Sequence, residues 1–199
     1  MDDPLTADPK APELVPTAMM LSRLSNTEDY KGHRELISAW SSVVKRIPQA
    51  QLLIVGDGDL RAELERLAEK SNLVASVKFL GRVSEVEKQK LLQGSRCFVM
   101  PSRAEGFGLV YLEAMRLGRP CLVSTLDAGR EVVNPPEAGL AVDPADQSQL
   151  VDSICRLLED GPEWQQWSEQ ARRRYEQNFT AKHFQERLLT ALFGNEVSA

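Results

Sequence analysis

The chain is poor in histidine and cysteine, and it lacks any long hydrophobic run. Its two histidines, His33 and His183, lie far apart, so a histidine-based metal site has no support. Three cysteines, Cys97, Cys121 and Cys155, sit in apolar runs without any Cys-x-x-Cys spacing. That pattern argues against a zinc site or a disulfide framework and predicts buried thiols. No apolar stretch approaches the ~20 residues that span a bilayer, and the N-terminus has no charged-then-apolar signal pattern. The expectation is a cytosolic protein. A basic excess is missing as well. The formal net charge is −5, which argues against a general nucleic-acid surface. Internal repeats and low-complexity runs are also lacking.

What is present suits one well-buried domain: 199 residues, 42% hydrophobic and 27% charged, an ordinary globular composition. Residues 1–16 carry Pro4, Pro9, Pro12 and Pro16 among polar neighbours and read as a linker or tail. Residues 194–199 read as a second tail, leaving 17–193 as the domain. Within it, Thr17 to Leu21, Gln51 to Val55, Val77 to Leu80, Cys97 to Met100, Pro120 to Ser124 and Gly139 to Val142 read as short strands. Helical spacing fills the intervals. Leu36, Ile37, Trp40, Val44 and Ile47 recur on one face before Pro48, and Leu60, Leu64, Leu67 and Ala68 do so after a cap expected at Asp59. Ser84 has capping-box spacing with Glu87 and opens a helix to about Gly94. A further helix starts near Gly108, with Leu109, Leu112, Met115 and Leu117 as its apolar contacts. Asp146 and Thr180 are expected caps, the latter for a helix carrying Phe184, Leu188, Leu189 and Leu192. Trp164 and Trp167 read as packing residues. Strands alternating with helices every ~20–30 residues predict an α/β, Rossmann-like domain, its mostly parallel sheet covered by helices on both faces. Gly56-Asp57-Gly58 reads as a turn, because Gly-x-Gly-x-x-Gly is not completed. That counts against a dehydrogenase, and no acidic cluster at strand ends supports a phospho-acceptor domain.

The stretch from Pro101 to Gly118 carries the chemistry. A strand, a glycine-containing loop and a helix start make an anion site, with the N–H groups of Gly106, Phe107, Gly108, Leu109 and Val110 aimed at the ligand. Two carboxylates, Glu105 and Glu113, bracket this turn. They would repel a bare phosphate, yet an ionised carboxylate accepts hydrogen bonds and a sugar is a cluster of hydroxyl donors. A molecule with phosphate in the middle and hydroxyls at both ends fits, and a nucleotide sugar is one.

Glu105-Gly-Phe-Gly-Leu-Val-Tyr-Leu-Glu113, preceded by Pro101-Ser102 and followed by Ala114-Met115 and Gly118-x-Pro120, resembles the Glu-x7-Glu motif of retaining, nucleotide-sugar-dependent glycosyltransferases of the GT-B fold, the group 1 family. The resemblance covers almost all of 17–193 and implies the C-terminal, donor-binding half. In that family the first Glu, here Glu105, contacts the transferred sugar, the second, Glu113, contacts the ribose, and the amides between them hold the diphosphate. Arg23 and Lys31 resemble the cations that neutralise the diphosphate and stabilise the leaving nucleotide without a metal or other cofactor. Gly81, Arg82 and Val83 match the segment against which the nucleobase lies, read through the main chain. For Arg82 a surface charge is the other reading. Asp127 and Arg130 lie in the segment beside the family's sugar pocket, although turn formation explains them equally well.

The implied reaction is hexosyl transfer from a nucleoside diphosphate with retained anomeric configuration, in which Arg23 and Lys31 stabilise the departing group and Glu105 orients the sugar. No base or nucleophile is assigned. Acceptor contacts, and in many relatives a histidine, come from an N-terminal domain, and neither His33 nor His183 matches that residue. The expected partners are therefore a nucleotide sugar and an acceptor-binding domain or subunit, through which any peripheral membrane contact would be made. Alone, this half would bind donor and transfer poorly or not at all. The resemblance further implies that the terminal helices pack back against the sheet and can cross to the other domain. The alternative function is a non-catalytic module that binds nucleotide sugar or a partner. The nucleobase, the sugar and the acceptor stay open.

Overall fold

The computed structural model describes residues 11–13 and 15–194. Most of the linker expected at 1–16, and residues 195–199 of the second tail, lie outside the described residues. Six strands form the sheet: β1 (Thr17–Leu21), β2 (Gln51–Val55), β3 (Val77–Gly81), β4 (Cys97–Val99), β5 (Cys121–Ser124) and β6 (Gly139–Val142). The five strand pairings are parallel, in the order β3-β2-β1-β4-β5-β6. The middle strands are largely apolar, and Ala18, Met19, Met20, Cys97, Phe98, Val99, Leu122 and Val123 are fully buried. A parallel sheet covered on both faces requires such unbroken runs. All three cysteines are buried free thiols.

Helices α1 (His33–Arg46), α2 (Arg61–Lys70), α3 (Glu85–Gly94), α4 (Leu109–Arg116), α5 (Gly129–Val133), α6 (Gln147–Leu158), α7 (Pro162–Asn178) and α8 (Ala181–Phe193) connect and follow the strands. Ser84, Asp146 and Thr180 cap their helices as expected, each side chain accepting the N–H of the third residue on. Asp59 does not cap α2. Its carboxylate instead accepts the backbone N–H of Asn26 at 3.0 Å and the Asn26 amide at 3.1 Å, so a contact across the cleft loops wins over the local one. Trp164 and Trp167 pack as expected. Both are buried, and their ring N–H groups donate to the carbonyls of Arg96 and Pro136.

Two expectations are corrected at the ends of helices. Leu109, expected as a packing contact, is 67% exposed: it opens α4 and lines the cleft. Met115 and Leu117 are buried as expected and Leu112 packs against the core, joined by Tyr111 and Ala114. At the C-terminus, α7 packs back through Trp164, Trp167 and Ala171, whereas α8 buries no residue. Its Phe184, Leu188, Leu189 and Leu192 face outward.

The order 3-2-1-4-5-6 reverses direction between β1 and β4. Their connections leave toward opposite sides there, which opens a crevice outside the carboxyl ends of the strands, where ligands bind in open α/β sheets.

Candidate functional site

A cleft of about 770 Å³ occupies that crevice. Each neighbouring strand end contributes to it: Leu21, Ser22 and Arg23 after β1, Val55, Gly56 and Asp57 after β2, Arg82 and Val83 after β3, and Met100 with the turn Glu105–Val110 after β4. Lys31 enters from the short 3-10 segment Asn26–Lys31, and Lys88 from α3. The structure thus brings together Arg23, Lys31, Arg82, Val83, Glu105, Gly106, Phe107, Gly108, Leu109 and Val110, as the sequence predicts.

The turn at Glu105 is built on Tyr111. Its hydroxyl donates to the Met100 carbonyl at 2.7 Å, and its ring meets Phe98 edge-on at 5.6 Å between centroids. Gly108 sits at φ +76° as the N-cap of α4, where any Cβ would lie 2.4 Å from the Tyr111 ring. Gly106 faces open space. Among the described residues, the N–H groups of Gly106 to Val110 have no hydrogen-bond acceptor. These orphan donors at a helix N-terminus give the cleft a positive wall made of backbone.

The side chains add further positive charge. Lys31 Nζ lies 2.9 Å from Glu28 Oε2, and Arg23 Nη1 lies 3.5 Å from Glu28 Oε1. Hydrogen bonding to Lys31 holds the Glu28 carboxyl below its ordinary range. Lys88, unrecognised from sequence, lies 2.8 Å from both Glu85 and Glu113. Burial disfavours its charge, but its bonds to Glu113 and Glu85 outweigh that and raise its pKa. A lysine three residues after a glutamate on a helix reads as a surface pair in the sequence, and only the approach of α3 to α4 turns it into the cleft.

Two predicted residues stand outside the lining. Glu113 is held by Lys88, one shell behind the wall. Gly81 is buried at φ +69°, and its carbonyl already accepts the Gly56 N–H at 2.8 Å. Of that segment, Arg82 and Val83 line the cleft. Asp127 is not a cleft residue either. It is 7% exposed, accepts the Gly129 N–H at 2.9 Å, and is pushed up to about 6 by burial, with the Glu105 charge adding to the shift. Arg130 is exposed and apart from the cleft.

Comparison with known proteins fits this geometry. The profile of the family described as "Glycosyl transferases group 1" matches residues 6–174. A GDP-mannose-dependent monoacylated alpha-(1-6)-phosphatidylinositol monomannoside mannosyltransferase of Corynebacterium glutamicum is 38% identical over 137 residues, covering 65% of this chain and 35% of that protein. A phosphatidyl-myo-inositol mannosyltransferase of Mycobacterium tuberculosis is 37% identical over 152 residues, covering 72% of this chain and 38% of that protein. Among solved structures, a point mutant of S. aureus TarM in complex with fondaparinux, alpha-GlcNAc-glycerol and UDP superposes with a TM-score of 0.83 at 22% identity, covering 92% of this chain and 36% of that one. The chain thus spans little more than a third of the length of the curated relatives it matches.

Proposed function

The chain belongs to the glycosyl transferases group 1 family, and from that membership we propose that its cleft is the donor site of a retaining glycosyltransferase. The observation that carries the proposal is the convergence of three anion-binding elements on one crevice: Arg23, Lys31 and the unpaired amides of Gly106 to Val110. A pyrophosphate placed there meets two cations and a helix N-terminus. Such preorganised charge stabilises a departing nucleoside diphosphate as its negative charge develops, and the protein's own cations do so in place of a metal.

Glu105, at the mouth of the turn, accepts sugar hydroxyls and orients the transferred residue. Glu113 works on the ribose side together with Lys88, since the lysine lines the cleft and the glutamate holds it. Arg82 and Val83 flank the base. Two mannosyltransferase relatives, one of them named as GDP-mannose-dependent, support a hexose as the transferred group. Acceptor contacts come from a further domain or subunit, so this half alone binds the donor and transfers little. The relatives, more than twice as long as the matched region, support that division.

The test is a calorimetric screen of UDP-, GDP- and ADP-sugars against this chain. Saturable binding of one class, abolished by Arg23→Ala together with Lys31→Ala, is expected. No binding of any of the three would overturn the reading.

A further inference from the structure

Ser22 and His33 form a pair that the cations and the glutamate turn do not explain. Ser22 Oγ lies 2.8 Å from His33 Nε2. Ser22 lines the cleft immediately before Arg23, whereas His33 is the first residue of α1 and wholly buried.

The pair has a defined polarity. His33 Nδ1 is buried without a hydrogen-bond partner. Burial also pulls the ring's pKa down from 6.5 to about 4, so at neutral pH it carries one proton. If that proton sat on Nδ1, a buried N–H would be orphaned, a rarer arrangement than an under-used acceptor. The proton therefore sits on Nε2 and is donated to Ser22 Oγ. A hydroxyl that accepts from one side keeps its own hydrogen to donate elsewhere, and the open side of Ser22 is the cleft.

The serine backbone is fixed as well. Its N–H donates to the Val55 carbonyl at 3.0 Å, and its carbonyl lies against Gly56, where a Cβ would come within 1.8 Å. Neither the main chain nor the side chain has freedom to turn away. The hydroxyl is preorganised, so little ordering entropy is lost when a ligand arrives.

We infer that Ser22 donates a hydrogen bond from its hydroxyl to an oxygen of the donor diphosphate, with His33 as the positioning residue that orients it. The inference rests on the nucleotide-sugar reading of the cleft and adds to it a neutral donor beside the two cations. An anionic oxygen is the acceptor best matched to a hydroxyl whose lone pair is already engaged, because polarisation along His33–Ser22–oxygen strengthens both bonds.

The experiment measures the affinity of GDP and UDP, and of guanosine and uridine, for the unaltered chain and for Ser22→Ala, Ser22→Thr and His33→Gln, with thermal unfolding as a folding control. Ser22→Ala should weaken the preferred diphosphate roughly ten-fold and leave its nucleoside unchanged. Ser22→Thr, which keeps the hydroxyl, should restore most of the affinity. His33→Gln should lose part of the diphosphate affinity without touching the nucleoside. Equal diphosphate affinity in Ser22→Ala and the unaltered chain would overturn the role of Ser22. A parallel loss for nucleoside and diphosphate would overturn it too, since that is the mark of a distorted cleft. If the unaltered chain bound neither diphosphate, the nucleotide reading would fall, and this inference with it.

Discussion

Glu28 sits between the two cations that enter the cleft, its Oε2 2.9 Å from Lys31 Nζ and its Oε1 3.5 Å from Arg23 Nη1. The carboxylate is only 19% exposed. It therefore offsets the charge that a pyrophosphate would meet, and such a ligand must share or displace those contacts. Glu28→Gln keeps the shape and removes the competing charge. Diphosphate affinity should rise three- to ten-fold at low ionic strength, about 1 kcal/mol, and the gain should shrink with added salt. Weaker binding in Glu28→Gln would mean that the carboxylate serves to aim Lys31.

The Lys88–Glu113 contact makes a second prediction. Both side chains are largely covered, at 14% and 33% exposure, so the pair is worth more than a surface ion pair. Glu113→Ala should weaken nucleotide binding by about 1–3 kcal/mol. Part of that loss arises through Lys88, which then turns toward Glu85 alone. A double-mutant cycle with Lys88→Met should return a coupling of about 1 kcal/mol in the binding free energy. Additive effects would show that the two residues contact the ligand independently.

These relationships also mark what the sequence made legible. The bounds of Gln51–Val55 and Gly139–Val142 are legible because a buried parallel strand is a short apolar run between breakers. The caps Ser84, Asp146 and Thr180 are legible because capping is a contact over three residues. The turn from Glu105 to Val110 is legible because its residues are consecutive. Lys88 and the Ser22–His33 pair are not, since each depends on two elements meeting in space. Asp59 resembles a cap in the sequence for the same reason, its partner Asn26 being 33 positions away. Leu109 and the apolar residues of α8 carry a buried-looking pattern that the described residues leave exposed. Periodicity records which residues share a face and is silent on whether anything covers that face.

Two buried ionisable groups lean against each other in their pH dependence. His33 titrates near 4 in the folded chain against an ordinary 6.5, so the unfolded chain binds more protons between those values, and stability falls as pH drops from 6.5 to 4. Asp127 titrates near 6 against an ordinary 3.8, so the folded chain holds its proton longer, and stability falls as pH rises from 3.8 to 6. Each shift corresponds to about 3 kcal/mol, and the two nearly cancel across the same window. Asp127→Asn removes one side of the balance. Its unfolding free energy relative to the unaltered chain should therefore climb by about 3 kcal/mol between pH 4 and 6.5, read by urea denaturation at several pH values. A pH-independent difference would show that Asp127 titrates alike in the folded and unfolded chain.

Gly56 tests whether the cleft depends on the close approach of its loops. Its φ is +130°, outside the range that side chains tolerate, and a Cβ there would fall 1.8 Å from the Ser22 carbonyl oxygen. Neither the left-handed strain nor the clash can be relieved by a flexible side chain, because the obstructing atom is backbone held by the Ser22 N–H bond to Val55 at 3.0 Å. Gly56→Ala should therefore push the end of β1 away from β2 and carry Ser22 and Arg23 with it. The stability loss should be about 2–4 kcal/mol, and diphosphate binding should fall by more than in Arg23→Ala, since both the cation and the serine hydroxyl are displaced. Retained binding at unchanged stability would show that the strand ends can separate without cost, and the cleft would then owe its shape to the glutamate turn alone.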